Sequence, residues 1–279
     1  MDKNKNSNLE KQLNKIKPEI SIDVNAIATY YPGMIKVYIP NTPINKTLSD
    51  WEAQTSPTLT AFESKTSNET SLERSIRRSQ KLVSDYVRCN WFDLFATITI
   101  ATDRYNTEHS KKKLLTWLKN QRDRNGKFRY IIVSEFHKDG ALHFHVLLAN
   151  YNGKLKRSIN PKTGHGIISN GKPVFELSEY KSGFTKVQEI GQTVEDQAKV
   201  GRYISKYITK EMVSIFGKKR FWTSKGLKKP IQEDNPQWYM DIKPDDIYEN
   251  DYGKIYTYTN LDNSLLPPYV KSYTEIKQP

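Results

Sequence analysis

The chain has 279 residues, with 44 Lys and Arg against 31 Asp and Glu and a formal net charge of +13. Hydrophobic residues make up 36% and mean hydropathy is −0.74, which points to one compact core with solvated ends. The single cysteine, Cys89, excludes an intramolecular disulfide framework and a multi-thiolate metal site. No apolar run approaches the roughly 18 residues of a membrane span, and no apolar leader opens the chain. A soluble protein of a reducing compartment is expected, without a membrane partner. Its excess positive charge points to a polyanion, most often nucleic acid.

Residues 1–20 are rich in Lys and Asn and read as a mobile arm, and residues 1–69 as a partly disordered N-terminal extension with one strand-like piece near residues 29–40. Thr70 and Glu73 form a capping box. Leu72, Ile76, Val83 and Val87 then give an apolar helical stripe, opposite a basic face of Arg74, Arg77, Arg78 and Lys81. Residues 93–100 read as a strand. Ser110 opens a short basic helix over 110–124, and residues 128–136 and 142–148 form a hairpin about Lys138-Asp139-Gly140. Residues 151–182 read as a long loop, 184–190 as a strand, and 193–212 as the clearest helix. From Pro230 the composition turns acidic and Tyr-rich, a tail over 231–279. This order implies an α+β fold, an antiparallel sheet with helices packed on it, over residues 70–230.

The hairpin carries chemistry. Strand side chains alternate faces, so Leu142, Phe144 and Val146 point one way, and His143 and His145 the other, onto an open sheet face. Folding about Asp139 sets Glu135 directly opposite His143. Two imidazoles and a carboxylate then converge as a three-ligand set with coordination positions to spare. His137 shares the parity of Glu135 and competes for the third place. A histidine-triad hydrolase would need His where Leu147 stands, and a cupin-type site would need Glu near Ala149. The run from Gly166 to Gly171-Lys172 lacks the Ser or Thr and the helix of a phosphate-binding loop, because Pro173 follows.

Tyr203 and Tyr207 lie four apart, which places both phenols on one helix face, with Lys206 and Lys210 on a neighbouring face. A phenol with pKa near 10 needs help as a nucleophile. A nearby ammonium lowers the cost of the phenolate, and a metal that polarises a phosphate lowers the barrier from the other side.

Taken in order, Phe95-Ala-Thr-Ile-Thr-Ile100, His143-Phe-His145 with Glu135, and Tyr203-Ile-Ser-Lys206-Tyr207-Ile-Thr-Lys210 resemble the three motifs of the HUH endonucleases. The resemblance is to the two-tyrosine rolling-circle replication initiators of plasmids and small single-stranded DNA phages, and runs from about Ser71 to Pro230. It implies an RNA-recognition-motif-like sheet of about five strands. It also implies Mg²⁺ or Mn²⁺ held by Glu135, His143 and His145, and attack by Tyr203 or Tyr207 on a single-stranded origin to give a 5′-phosphotyrosine. Lys206 and Lys210 would stabilise charge, and Thr97, Thr99, Arg74, Arg77, Arg78 and Arg202 are candidate DNA contacts. Without a usable phosphate-binding loop, unwinding would fall to a host helicase, with a host polymerase extending the 3′ end in the cytoplasm of a bacterial cell. The same chemistry would also suit a transposase or mobilisation nickase. A non-catalytic DNA-binding regulator on this fold is a third reading, which the intact Glu, His and Tyr set opposes.

Overall fold

The computed structural model describes residues 21–47, 70–137, 139–209 and 220–259, with Leu266, Pro268 and Lys271. They fall into two compact units, one of residues 21–29, 35–47 and 232–259, the other centred on residues 30–34 and 70–231. The chain opens with strands β1 (Ser21–Val24), β2 (Ile27–Tyr31), β3 (Met34–Pro40) and β4 (Ile44–Thr47). Helix α1 (Ser71–Asn90), β5 (Leu94–Ile100), α2 (Thr107–Asn125), β6 (Arg129–Phe136) and β7 (Leu142–Ala149) follow. Next come β8 (Leu155–Arg157), β9 (Ile168–Ser169), β10 (Lys172–Pro173), β11 (Phe175–Leu177), β12 (Gly183–Glu189) and α3 (Val194–Ser205). The last elements are β13 (Trp222–Thr223), β14 (Ile231–Asp234), a 3₁₀ turn at Trp238–Asp241, β15 (Asp246–Asn250) and β16 (Gly253–Tyr258).

The larger unit is α+β: a seven-stranded antiparallel sheet in the order β13-β6-β7-β5-β12-β11-β8, with the three α-helices found among the described residues. Two of its strands come from the segment expected to be a loop, where Leu155 and Leu177 pair. Alternation over only three residues is too short to stand out in sequence, and these strands are held mainly by backbone pairing. Within the same segment, Asn170 and Gly171 (φ 51° and 73°) turn β9 back onto β10, a left-handed pair that Asn-Gly adopts at little cost. No helix follows Lys172.

The capping box at Thr70 is present, with Glu73 bonded to the Thr70 amide at 3.0 Å. Helix α2 starts three residues before the expected Ser110, because the Asn106 side chain accepts from the His109 amide and takes the cap. Ser110 is buried inside the first turn. Helix α3 ends at Ser205 rather than Met212. There the Ser205 hydroxyl bonds back to the Gly201 carbonyl at 2.7 Å and to the Gln80 carbonyl, while Tyr207 and Ile208 close tight i→i−3 turns. Residues 210–212 lie outside the described residues.

Both faces of the large sheet are packed. Leu142, Phe144, Val146 and Leu148 meet α2 through Leu114, Trp117 and Leu118. On the opposite face, Leu147, Ala149, Ile131 and Val133 meet α1 and α3 through Ile76, Val83, Val87, Val200 and Ile204. The two histidines share parity with Leu147 and Ala149, so their face is half covered, not open as expected. The apolar end of β7 needs a helix over it, and that helix reaches His145.

In the smaller unit, β1 pairs with β4, and a second sheet runs β14-β2-β3-β16-β15. Residues 231–258, expected as a tail, are therefore strands beside residues 27–40. Lys46 and Asp234 join at 2.6 Å with both side chains largely buried, and the Tyr258 ring packs on Trp238 at 5.5 Å. The expected arm, residues 1–20, lies outside the described residues.

Candidate active site

Register arranges the half-covered face in rows. Glu135, His143, Thr99 and Phe184 form one row across β6, β7, β5 and β12. Val133, His145, Thr97 and Lys186 form the next, and Ile131, Leu147, Phe95 and Gln188 the third. The hairpin register about Asp139 is as predicted, with the His137 amide bonded to the Ala141 carbonyl at 2.8 Å. Helix α3 covers the third row, and its C-terminal turn overhangs the second.

That turn delivers the tyrosines. Ile204 and Ile208 are fully buried, and the Gln80 amide caps the Ile208 carbonyl at 3.0 Å. Anchored in this way, the turn lays the Tyr207 ring flat on the His145 imidazole, with centroids 3.7 Å apart and planes 15° apart. The Tyr207 hydroxyl donates to the Tyr203 hydroxyl at 2.7 Å. Lys206 spans both rings, its Nζ 4.0 Å from the Tyr203 centroid and 4.7 Å from that of Tyr207. Phe95 braces the assembly, stacked 5.8 Å from His145 and edge-on to Tyr203 at 5.3 Å. Tyr203 remains 45% exposed.

His145 is 5% exposed and its Nε2 lies 2.9 Å from Glu135 Oε2. Burial lowers the His145 pKa against the opposing pull of that carboxylate. Burial also lowers His143, helped by the charge of His137, whose ring stacks on it at 4.8 Å. Both imidazoles are thereby favoured in the neutral form, the form that binds metals. Burial, then the hydrogen bond with Tyr203, pushes the Tyr207 phenol up.

The donor set fits a divalent cation in kind: a carboxylate, two neutral imidazoles, and a buried His145 Nδ1 without a hydrogen-bond partner. The side chains are not pre-gathered, since among the described residues no three His, Cys, Asp or Glu stand close enough to hold a metal. The Glu135 carboxylate is engaged by His145, and the His143 ring lies on His137. His137 itself is exposed and bonded to Asp139 at 3.2 Å.

Thr97 and Thr99 sit beside His145 and His143 on the same face. Arg74, Arg77 and Arg78 lie on α1, the first two half-buried and the last exposed. Arg202 is exposed, and its charge is among those lowering Arg88 on α1. Lys210 lies outside the described residues. Sequence reasoning missed the bracing role of Phe95 and the row position of Phe184. The signal was there in the parity each shares with Thr97 and Thr99 once β5 and β12 are paired.

Residues 93–212 match the family model for the replication-associated protein of the ORF2 type. The match supports a family of replication initiators and suggests a role in replication initiation, compatible with nuclease activity. No curated protein and no solved structure matches the chain. No helix among the described residues is long and apolar enough to cross a membrane.

Proposed function

We propose that the protein nicks and rejoins single-stranded origin DNA through a 5′-phosphotyrosine on an HUH-type, RNA-recognition-motif-like sheet, and so initiates rolling-circle replication. The observation that carries this reading is the hydroxyl pair of Tyr203 and Tyr207, spanned by Lys206 and seated on a His145–Glu135 couple. Tyr203 attacks first, because it is the more exposed phenol and its oxygen receives the Tyr207 hydrogen bond. The Tyr203 oxygen bonds to phosphorus as the bond from phosphorus to the 3′ oxygen breaks. The downstream 5′-phosphate stays on the tyrosine, and the phenolic proton ends on the 3′ oxygen. Lys206 offsets the charge that gathers on the phenolate. Glu135, His143 and His145 would hold Mg²⁺ or Mn²⁺, whose chemistry when bound is to polarise the scissile phosphate. Tyr207 serves the closing transfer, taking the chain for rejoining to a free 3′-OH. Helicase and polymerase functions come from the host.

The test is a covalent adduct. The protein is incubated with single strands spanning its own gene's flanking DNA, labelled at either end, in Mn²⁺ and in EDTA, and run on a denaturing gel. The 3′-labelled strand should migrate with protein, and only with metal present. Release of both fragments free would indicate a hydrolytic nuclease and end the phosphotyrosine reading.

A further inference from the structure

Phe184 is 77% exposed in the middle of a sheet, at the end of the row that runs Glu135, His143, Thr99, Phe184. Rows three and two are apolar or covered by α3, whereas this one is uncovered from β7 to β12. Its His143 and Thr99 positions are half-buried, and Phe184 is the most solvated. Phe184 makes no ring contact among the described residues, although it stands two strands from His143, about 10 Å at the usual strand spacing. Two residues on along the same face is Lys186, whose Nζ bonds Ser169 Oγ at 2.9 Å, and Gln188 bonds the Ser169 carbonyl. These bonds hold the β9–β10 hairpin against β12. Lys172 on that hairpin reaches the Glu189 carbonyl. The result is an exposed aromatic face bordered by two ammonium groups, on a chain of net charge +13.

An aromatic ring that gives up burial, flanked by cations and aligned with a phosphate-handling row, suits a nucleobase: the ring supplies a stacking face and the lysines face the backbone. We infer that Phe184 is the stacking platform for a base of the single-stranded DNA that crosses this row, with Lys186 and Lys172 beside the adjoining phosphates. The ligand class is an unpaired nucleotide, read by its π-face and not by its edge, so the platform is tolerant of sequence. This rests on the nicking function for the position of the strand, but not for the stacking itself.

The experiment measures binding of a fluorescent single-stranded oligonucleotide to the full chain in EDTA, where cleavage is silent. Phe184→Ala and Phe184→Leu should each bind between about five- and hundredfold more weakly, and Phe184→Trp should bind as well as wild type. A series of oligonucleotides with one abasic position should show one site where the missing base weakens wild type. That same site should leave Phe184→Ala unaffected. Full binding by Phe184→Leu, or an abasic penalty unchanged in Phe184→Ala, overturns the platform. So does a lowered Tm in Phe184→Ala with no change in binding, because Phe184 would then be packing under its own chain. Nicking is scored separately in Mn²⁺. A protein that stacks through Phe184 but forms no adduct sinks the nicking reading alone. Adduct formation with an unaltered Phe184→Ala binding curve sinks the platform alone.

Discussion

Replacing each tyrosine by phenylalanine separates the two phenols, because their surroundings differ. Tyr207→Phe keeps the ring on His145, where the 3.7 Å stack needs no hydroxyl, but removes the donor to the Tyr203 oxygen. A hydrogen bond to a charged oxygen contributes about 1.5–3 kcal/mol, and Tyr203 is 45% exposed, so the low end applies. About 1.5 kcal/mol corresponds to roughly a tenfold slower first nick. Tyr203→Phe removes the attacking oxygen and should abolish the first nick while leaving binding unchanged, and the double substitution should form no adduct. The assay is single-turnover cleavage of a 3′-labelled origin strand in Mn²⁺, followed by adduct yield on a denaturing gel. Rejoining is measured separately by supplying a strand with a free 3′-OH, and it should fall most in Tyr207→Phe. If Tyr203→Phe nicks at the wild-type rate while Tyr207→Phe does not nick, the assignment is reversed. If the double variant still forms the adduct, the nucleophile is elsewhere and the phenol pair is packing alone.

Glu135→Ala should abolish metal-dependent cleavage, whereas His137→Ala should lower it only modestly, because His137 bonds Asp139 and supports His143 from outside; normal cleavage by Glu135→Ala with none by His137→Ala would move the ligand to position 137. Affinity for single-stranded DNA should fall steeply with salt: three neutralised phosphates give a slope near −2, so a fourfold rise in salt costs roughly ten- to twentyfold in binding, and a flat titration would contradict a phosphate-driven interface. Tyr31→Phe removes a 2.7 Å bond to the buried Asp85, which also pairs with Lys81; a loss of about 1.5–3 kcal/mol should lower the Tm by several degrees, and an unchanged melt would show that Asp85 is satisfied without it. Burial raises the phenols of Tyr31 and Tyr180, and burial with the charge of Glu179 lifts Tyr151 to about 12. Since an unfolded phenol titrates near 10, the unfolded chain loses its protons first. The stability these groups contribute is therefore present below about pH 10 and is lost as pH rises from there through the folded values; chemical denaturation followed between pH 9 and pH 12 should show that decline, and a flat profile would refute it.

Local chemistry was legible where neighbouring residues decide it. Thr70 and Glu73 cap α1 whatever packs above them, and Asp139-Gly140 sets the hairpin register that puts Glu135 opposite His143. Period-two alternation in β7 separated Phe144 from His143 and His145 for the same reason. The end of α3 was not legible, because it depends on Ser205 and Ile208 meeting Gln80 of α1, more than a hundred residues away. The joining of residues 27–40 to 231–258 depends on backbone pairing, which carries almost no side-chain signature. The helical spacing of Tyr203 and Tyr207 placed the two phenols near each other, but it could not put them over His145. That placement follows from the apolar end of β7: Leu147 and Ala149 share the face of His143 and His145, and only the folded sheet shows that burying them draws the turn after α3 across the histidines.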